Sequence, residues 1–432
     1  MLNSRGTTQL ETVFTEIDDR VDELVELTAD LIRIPTTNPP GLDYVPCAEL
    51  IGNRLAKRGF SIEYLRARGC AGDSDKHPRT NVIAHYDGTR PGSCIHFNSH
   101  MDVVEAGAEW TVDPFGGLVR DGRVYGRGAC DMKGGLAASI IAMECLVDQV
   151  PDLAGSIEIS GSVDEESGGY GGVAFLAEKG YFSKPRVDHV IIPEPLNVDR
   201  VCIGHRGVWW AEIETLGRIA HGSMPFLGDS AARHMGALIA RMERDLFPKL
   251  LERHTQMPVV PEGAKVPTLN INSIHAGQSE IEGDGLPAPC VPDSARMIID
   301  RRFLIEEELA DVKREFLDLL DGLCDERHDF RYKIRDLFEV HPVMIDRDEP
   351  VARATASAIA DVLGREAQFI CSPGTYDQKH IDRIGKLKNC VAYGPGILDL
   401  AHQPDEYVVI EDMVASAKVM AQAAYYLTQQ ID

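Results

Sequence analysis

The strand-like run Ser93-Cys94-Ile95-His96-Phe97 leads into a polar tip, Ser99-His100-Met101-Asp102. Side chains alternate along a strand, so His100 and Asp102 share a face. An imidazole beside a carboxylate suits a metal ligand with its supporting group. Farther on, Gly126-Arg127-Gly128-Ala129-Cys130-Asp131-Met132-Lys133-Gly134-Gly135 surrounds Asp131 with glycines. Glycine lets a backbone pass close to something bulky or charged. Ser156–Val163 reads as a strand that ends in Asp164-Glu165-Glu166-Ser167-Gly168-Gly169. The run His189–Ile192 ends in Pro193-Glu194-Pro195, where the prolines hold the glutamate in a rigid, extended segment. Near the end come Tyr393-Gly394-Pro395-Gly396 and Ala401-His402-Gln403-Pro404-Asp405-Glu406. Imidazole and carboxylate sets of this kind take hard and borderline divalent ions. Two ions bridged by a carboxylate can hold a substrate oxygen and generate hydroxide near neutral pH.

These residues need elements to bring them together. Apolar positions with helical spacing run from residue 9 to residue 34, and Pro35 and Asn38-Pro39-Pro40-Gly41 end them. A second amphipathic helix fits Tyr44 to Arg58. Strand-like runs follow at Phe60–Leu65, Asn81–Tyr86, Ser93–Asn98, Ser156–Val163 and His189–Ile192, with helical stretches at 136–150 and 171–180. Alternating strands and helices predict an α/β domain whose ligands sit at the carboxyl ends of the strands. His100, Asp131, Glu165 and Glu194 all fall there.

The character changes near Gly207. Val208–Leu216, Ala295–Arg302 and Phe330–Val340 read as strands, and 230–251 and 306–326 as helices, around a Pro- and Gly-rich stretch at 254–295. After Pro342 the α/β pattern returns, with helices at Pro350–Leu363 and from Ile410. The expected organisation is a discontinuous α/β catalytic domain, residues 1–207 and 341–432, with a central mixed sheet flanked by helices. A smaller α+β domain, residues 208–340, interrupts it.

Composition narrows the function. The 432 residues carry 44 Lys plus Arg against 68 Asp plus Glu, a formal net charge of −24. Such a surface repels phosphate backbones and anionic membranes, so neither nucleic acid nor membrane is an expected partner. The 10 cysteines are scattered without a CxxC pair, which argues against disulfides and thiolate metal sites. The first residues lack a signal-peptide core, and no apolar run reaches membrane-span length. The expected compartment is a reducing cytoplasm.

The motifs SHMDVV, GRGACDMKGG, DEESGG, the Glu of PEP, HGSMP, GPG and AHQPDE occur in this order from about Leu31 onward. In this the chain resembles the metallohydrolase family of acetylornithine deacetylase, succinyl-diaminopimelate desuccinylase, aminoacylase and glutamate carboxypeptidase. The resemblance implies two divalent ions, zinc or alternatively cobalt or manganese. It implies His100 and Glu194 as ligands of one ion, with Asp102 orienting His100. Glu166 and His402 are the implied ligands of the other, and Asp131 the bridge. Glu165 resembles the general base. The interrupting domain matches a lid that also dimerises. In it His221 resembles the residue that stabilises the oxyanion, often from a partner subunit. Arg302 resembles the arginine that grips a substrate carboxylate, with Arg301 beside it as the alternative.

One loop departs from the family pattern Gly-Thr-Ser-Asp-x-Arg: here it reads Gly374-Thr375-Tyr376-Asp377-Gln378-Lys379-His380. Thr375, Tyr376, Gln378 and Gly396 are the expected substrate contacts, with Tyr376 narrowing the pocket or stacking on a flat substrate. The expected activity is hydrolysis of a C–N bond in a small carboxylate-bearing molecule, an N-acyl amino acid. Tyr376 and Gln378 keep open an aminohydrolase that releases ammonia from an activated aromatic amino acid, as in a nitroanthranilate aminohydrolase. A non-catalytic binding protein on the same fold is the alternative of another class.

Overall fold

The computed structural model describes residues 4–277 and 289–429. The chain divides into two compact units. One comprises Met1–Ile203, Ile345–Ile370 and Tyr376–Asp432, and the other Gly204–Met344 and Cys371–Thr375.

Among the described residues a nine-stranded mixed sheet dominates. Its order is Ser61–Arg66, Thr80–Asp87, Ala154–Ser162, Arg90–His100, His189–Ile192, Cys390–Ala392, Arg200–His205 and Val343–Met344; Gln368–Ser372 pairs with Arg200–His205 off this path. Four neighbouring strands are parallel: Ala154–Ser162, Arg90–His100, His189–Ile192 and Cys390–Ala392. Parallel strands bring their carboxyl ends to one edge. His100 ends one strand, Asp164-Glu165-Glu166 follow another, Glu194 a third and Gly394-Pro395-Gly396 the fourth. That shared edge is why residues far apart in sequence can meet.

Strands in the middle of a parallel sheet are covered on both faces. Ile95, Phe97, Ile157 and Ile159 are fully buried. On the alternate positions His96, Asn98 and His100 stand in register with Glu158, Ser160 and Ser162. The helix Gly134–Gln149 is apolar on nearly all sides and correspondingly buried. It packs against Ile410–Thr428, which also packs on Pro350–Leu363. No helix among the described residues is long and apolar enough to cross a membrane.

The second unit is a four-stranded antiparallel sheet ordered Thr268–Ala276, Ser294–Phe303, Gly207–Leu216 and Arg331–Val340. Helices Ala231–Arg241 and Leu309–Glu326 bury Met235, Leu238, Phe316 and Leu320 with Trp209, Met297 and Ile299 of the sheet. The Trp209 and Phe316 rings meet edge-on at 5.8 Å. Burying each such side chain contributes about 1.5–3 kcal/mol.

Several elements differ from the sequence expectation for local reasons. The single helix expected over 9–34 is two, Ser4–Asp19 and Val21–Arg33. Arg20 leaves helical geometry between them, and its buried guanidinium reaches Glu144 and Glu23. The helix expected over 230–251 widens at Met242–Leu246 before continuing as Phe247–Leu251. Pro248 lacks an N–H, and a wide turn just before it absorbs the missing bond. Of the helix expected over 171–180, a wide turn at Tyr170–Ala174 and the single turn Phe175–Glu178 form. The strand Thr268–Ala276 lies inside the Pro- and Gly-rich stretch, where a bulge between Ile271 and Ser273 breaks its alternation. Part of that stretch, 278–288, lies outside the described residues.

Candidate metal centre

Asp131 is the hub. Its Oδ1 lies 3.0 Å from His100 Nε2, and its Oδ2 lies 3.5 Å from His402 Nε2. One carboxylate therefore turns an oxygen to each of two imidazoles. His402 Nε2 is also 3.1 Å from the Glu166 carboxylate. Ligand atoms of His100, Asp131 and Glu166 all lie within 4.8 Å of one another. Glu194 lies close enough to Asp131 and His100 for their charges to act on it. The structure thus brings together all five residues expected as metal ligands.

Neighbouring backbone fixes each of them. His100 Nδ1 donates to the main-chain oxygen of Asp102 at 2.9 Å, so Nε2 presents the lone pair when the ring is neutral. The Asp102 carboxylate stands farther off, 3.8 Å from Nδ1. Asp102 thus meets His100 through its main-chain oxygen, with its carboxylate the more distant partner. Its carboxylate accepts the N–H groups of Glu165 and Glu166, both at 3.1 Å, and the Asn38 amide at 2.9 Å. Asp102 thereby ties the histidine strand to the glutamate turn.

A second clamp went unassigned in the sequence. Glu406 accepts from the N–H groups of Cys130 and Asp131 at 2.8 and 3.0 Å and pairs with Arg127. Arg127 also donates to the carbonyls of His402 and Gln403. The pair holds the His402 loop against the Asp131 loop. Both residues stand inside the motifs already noted, and their opposite charges were the available signal. Two glycines serve the site by close approach: a Cβ at Gly135 or Gly394 would collide with the Pro193 carbonyl, next to Glu194.

Charge within the cluster is unbalanced. Burial and neighbouring Asp131 push Glu194 well above the usual carboxylate range. Burial, opposed by His402, raises Glu166 to about 7. Burial also raises Asp102 to about 6, against the pull of His100. The Glu166 contact raises His402 to about 9. Acids crowded this way are stabilised by a divalent cation, and the imidazole–carboxylate donor set fits one. Glu165 is placed differently. Its Oε1 accepts from Lys379 Nζ at 2.8 Å, and the Lys379 side chain is 3% exposed.

Tyr376 and Gln378 turn their polar groups to each other. Tyr376 is buried, and its hydroxyl donates to Gln378 Oε1 at 2.7 Å; Gln378 Nε2 donates to the Cys390 carbonyl at 2.9 Å. At a spacing of two, these residues satisfy each other inside the fold. Gly396 adopts φ +100°, and a Cβ there would press on Cys130 Sγ. Thr375, His221, Arg301 and Arg302 belong to the second unit. Arg301 is buried and engaged by Glu307 at 2.7 Å, which corrects its reading as an alternative substrate anchor. Arg302 gives Nε and Nη2 to Asp300 at 2.7 and 2.9 Å. His221 is exposed, and its Nδ1 accepts from the Ser223 hydroxyl at 2.7 Å.

The chain is similar to known proteins over most of its length. The family model described as "Peptidase family M20/M25/M40" matches residues 96–426. A succinyl-diaminopimelate desuccinylase of Marinobacter nauticus is 28% identical over 92% of this chain and 96% of its own. Among solved structures, human carnosine dipeptidase 1 superposes with a TM-score of 0.76 at 19% identity, covering 97% of this chain and 98% of that one. The Bacillus subtilis YxeP protein, described as a dinuclear metal-binding peptidase, superposes with a TM-score of 0.66 at 18% identity, covering 96% and 100%. This chain belongs to peptidase family M20/M25/M40, and it is a metal-dependent hydrolase of carbon–nitrogen bonds.

Proposed function

We propose that this enzyme removes the acyl group from a small N-acyl amino acid with a free carboxylate. The observation that carries the reading is Asp131, which offers one carboxylate oxygen to each of two histidine Nε2 atoms beside a separately held Glu165. His100 and Glu194 would hold one divalent ion and Glu166 and His402 the other, with Asp131 between them. Zinc suits this donor set, and cobalt or manganese can replace it. When bound, such a pair lowers the pKa of a water and polarises the scissile carbonyl.

The chain's own groups do the rest. Glu165 takes the proton of the attacking water and hands it to the leaving amine. His221 donates to the oxygen that gains negative charge. Arg302 grips the substrate carboxylate, for which a guanidinium fork is better shaped than an ammonium. In this reading the unit from 208 to 340 acts as lid and dimerisation domain, and the flanking segments 1–207 and 341–432 as catalytic domain. Exposed Ile219, Phe226 and Leu227 beside His221 support a homodimer, since a second copy would cover them. The cysteines form no disulfide among the described residues, which supports a reducing, cytoplasmic location.

A turnover screen tests the substrate. N-acetyl, N-succinyl and other N-acyl amino acids, and amino-aryl acids, are offered to enzyme loaded with zinc, cobalt or manganese. The expected products are a carboxylic acid and a free amino acid. Ammonia released from an aryl amine would replace this reading with the aminohydrolase.

A further inference from the structure

We propose that Lys379 is a positioning residue that holds Glu165 in place for proton transfer, and that the central sheet anchors Lys379 through Asp377. The inference deepens the deacylase reading and rests on it. Glu165 lies in a single turn, Glu165–Ser167, after its strand, and its flexible side chain needs an external restraint. The Lys379 ammonium supplies one at 2.8 Å.

The loop that carries Lys379 is itself tied down. Asp377 Oδ2 accepts from Asn98 Nδ2 at 3.0 Å. Asn98 Oδ1 accepts from the Ser160 hydroxyl at 2.8 Å, and Ser160 Oγ lies 2.7 Å from His96 Nε2. His96 Nδ1 lies 3.0 Å from Glu158. Apart from Asp377, these residues occupy alternate positions on two paired strands, in line with His100. The chain of bonds therefore fixes the Lys379 loop to the strand that ends in a metal ligand. Asp377, Asn98, Ser160, His96 and Glu158 are all buried, so water competes little for these bonds. The carboxylates of Glu165 and Asp377 both attract Lys379. A base displaced by about 1 Å loses about 10²-fold in rate.

The test compares Lys379→Met, Lys379→Arg, Glu165→Gln and the double variant Glu165→Gln/Lys379→Met. With the best substrate from the screen, Lys379→Met should lower kcat by about 10- to 100-fold. KM should stay within about twofold and metal content should not change, because Lys379 holds the base and touches neither substrate nor ion. Lys379→Arg should recover most of the loss. A readout independent of catalysis is the thermal midpoint of the metal-free proteins. If the two side chains form one buried pair, the double variant loses less than the sum of the single losses. A rise in KM with kcat intact would make Lys379 a substrate contact and overturn the proposal. Wild-type kcat in Lys379→Met, or additive shifts in midpoint, would overturn it too. If wild-type enzyme hydrolyses no N-acyl amino acid, the deacylase reading fails, whereas the midpoints still report whether the pair exists.

Discussion

Buried carboxyls along one sheet behave in opposite ways: Glu158 lies within the strand Ala154–Ser162, whereas Glu166 and Glu194 lie beyond the ends of Ala154–Ser162 and His189–Ile192. Glu158 is fully buried in mid-strand and meets donors on every side: His85 and His96 at 3.0 Å each and Arg186 at 2.7 Å. Burial alone would raise its pKa, but these partners hold the carboxyl well below the usual range. At the strand ends Glu166 and Glu194 crowd against Asp131, and both are raised. A buried acid ringed by cations holds a fold together. Buried acids facing one another are poised for a cation from outside. Neighbours, more than residue type or burial, separate structure from function here.

The sharpest way to break the comparison is within the adjacent pair Glu165 and Glu166. Glu165→Gln should keep both metals and lower kcat by about 10²–10⁴-fold, the scale of general-base loss. Glu166→Gln should instead lower metal occupancy, measured by elemental analysis after dialysis. Equal metal loss in both variants would merge the two roles.

Next in size is the structural group. Glu158→Ala leaves Arg186 and His96 without their acid, so unfolding in denaturant should show a loss of about 3–5 kcal/mol. Metal content of the folded protein should remain that of the wild type. Loss of metal with unchanged stability would place Glu158 with the site instead.

The same contrast explains what the sequence made legible. The five expected ligands follow strands or sit in glycine- and proline-marked loops, and that local pattern is visible without a partner. Partnerships are not. Arg127 and Glu406 lie 279 residues apart, and nothing local to either says that they pair. Lys379 stood out as a departure from a loop pattern, yet its role depends on Glu165, 214 residues earlier. Tyr376 and Gln378 read as contacts because a bulky polar residue in a substrate loop suggests one, while their spacing of two also lets them bond to each other, a partnership the sequence alone did not show. Sheet strands were placed to within a few residues where alternation was intact, as at Gly207–Leu216. Arg200–His205 was missed because its nearly continuous burial leaves no alternation to see.

The second unit offers a milder version of the comparison in Arg301 and Arg302. Arg301 is 2% exposed and committed to Glu307, so Arg301→Lys should cost stability and leave KM unchanged. Arg302 is held by Asp300 along one edge only. Arg302→Lys should lower kcat/KM by about 10- to 100-fold, since a charge-assisted hydrogen bond is worth about 1.5–3 kcal/mol. Its metal content and unfolding midpoint should match the wild type. Steady-state kinetics on both variants decide; a selective kinetic defect in Arg301→Lys would return the anchor to that residue.

The smallest effect concerns the outer edge of the Glu158 group. His85 Nδ1 lies 3.0 Å from Glu158, and its Nε2 lies 2.9 Å from Asp87. The Glu158 contact raises the His85 pKa; burial opposes it and Asp87 adds to it. A histidine whose folded pKa exceeds the unfolded value, about 6.5, stabilises the fold fully below that pH. The contribution is lost as pH rises through the folded pKa. Glu158, with its lowered pKa, has the opposite sign: its contribution is present above the ordinary carboxylate pKa and lost on acidification. Both are therefore in force in mildly acidic solution. Because Asp87 is exposed, solvent screens its share and the total stays small. Thermal midpoints of wild type and His85→Gln, measured from about pH 5.5 to 9, should differ most at the acidic end and converge as His85 loses its proton. A difference that stays constant over this range would mean that His85 stabilises through packing, and that Arg186 and His96 alone neutralise Glu158.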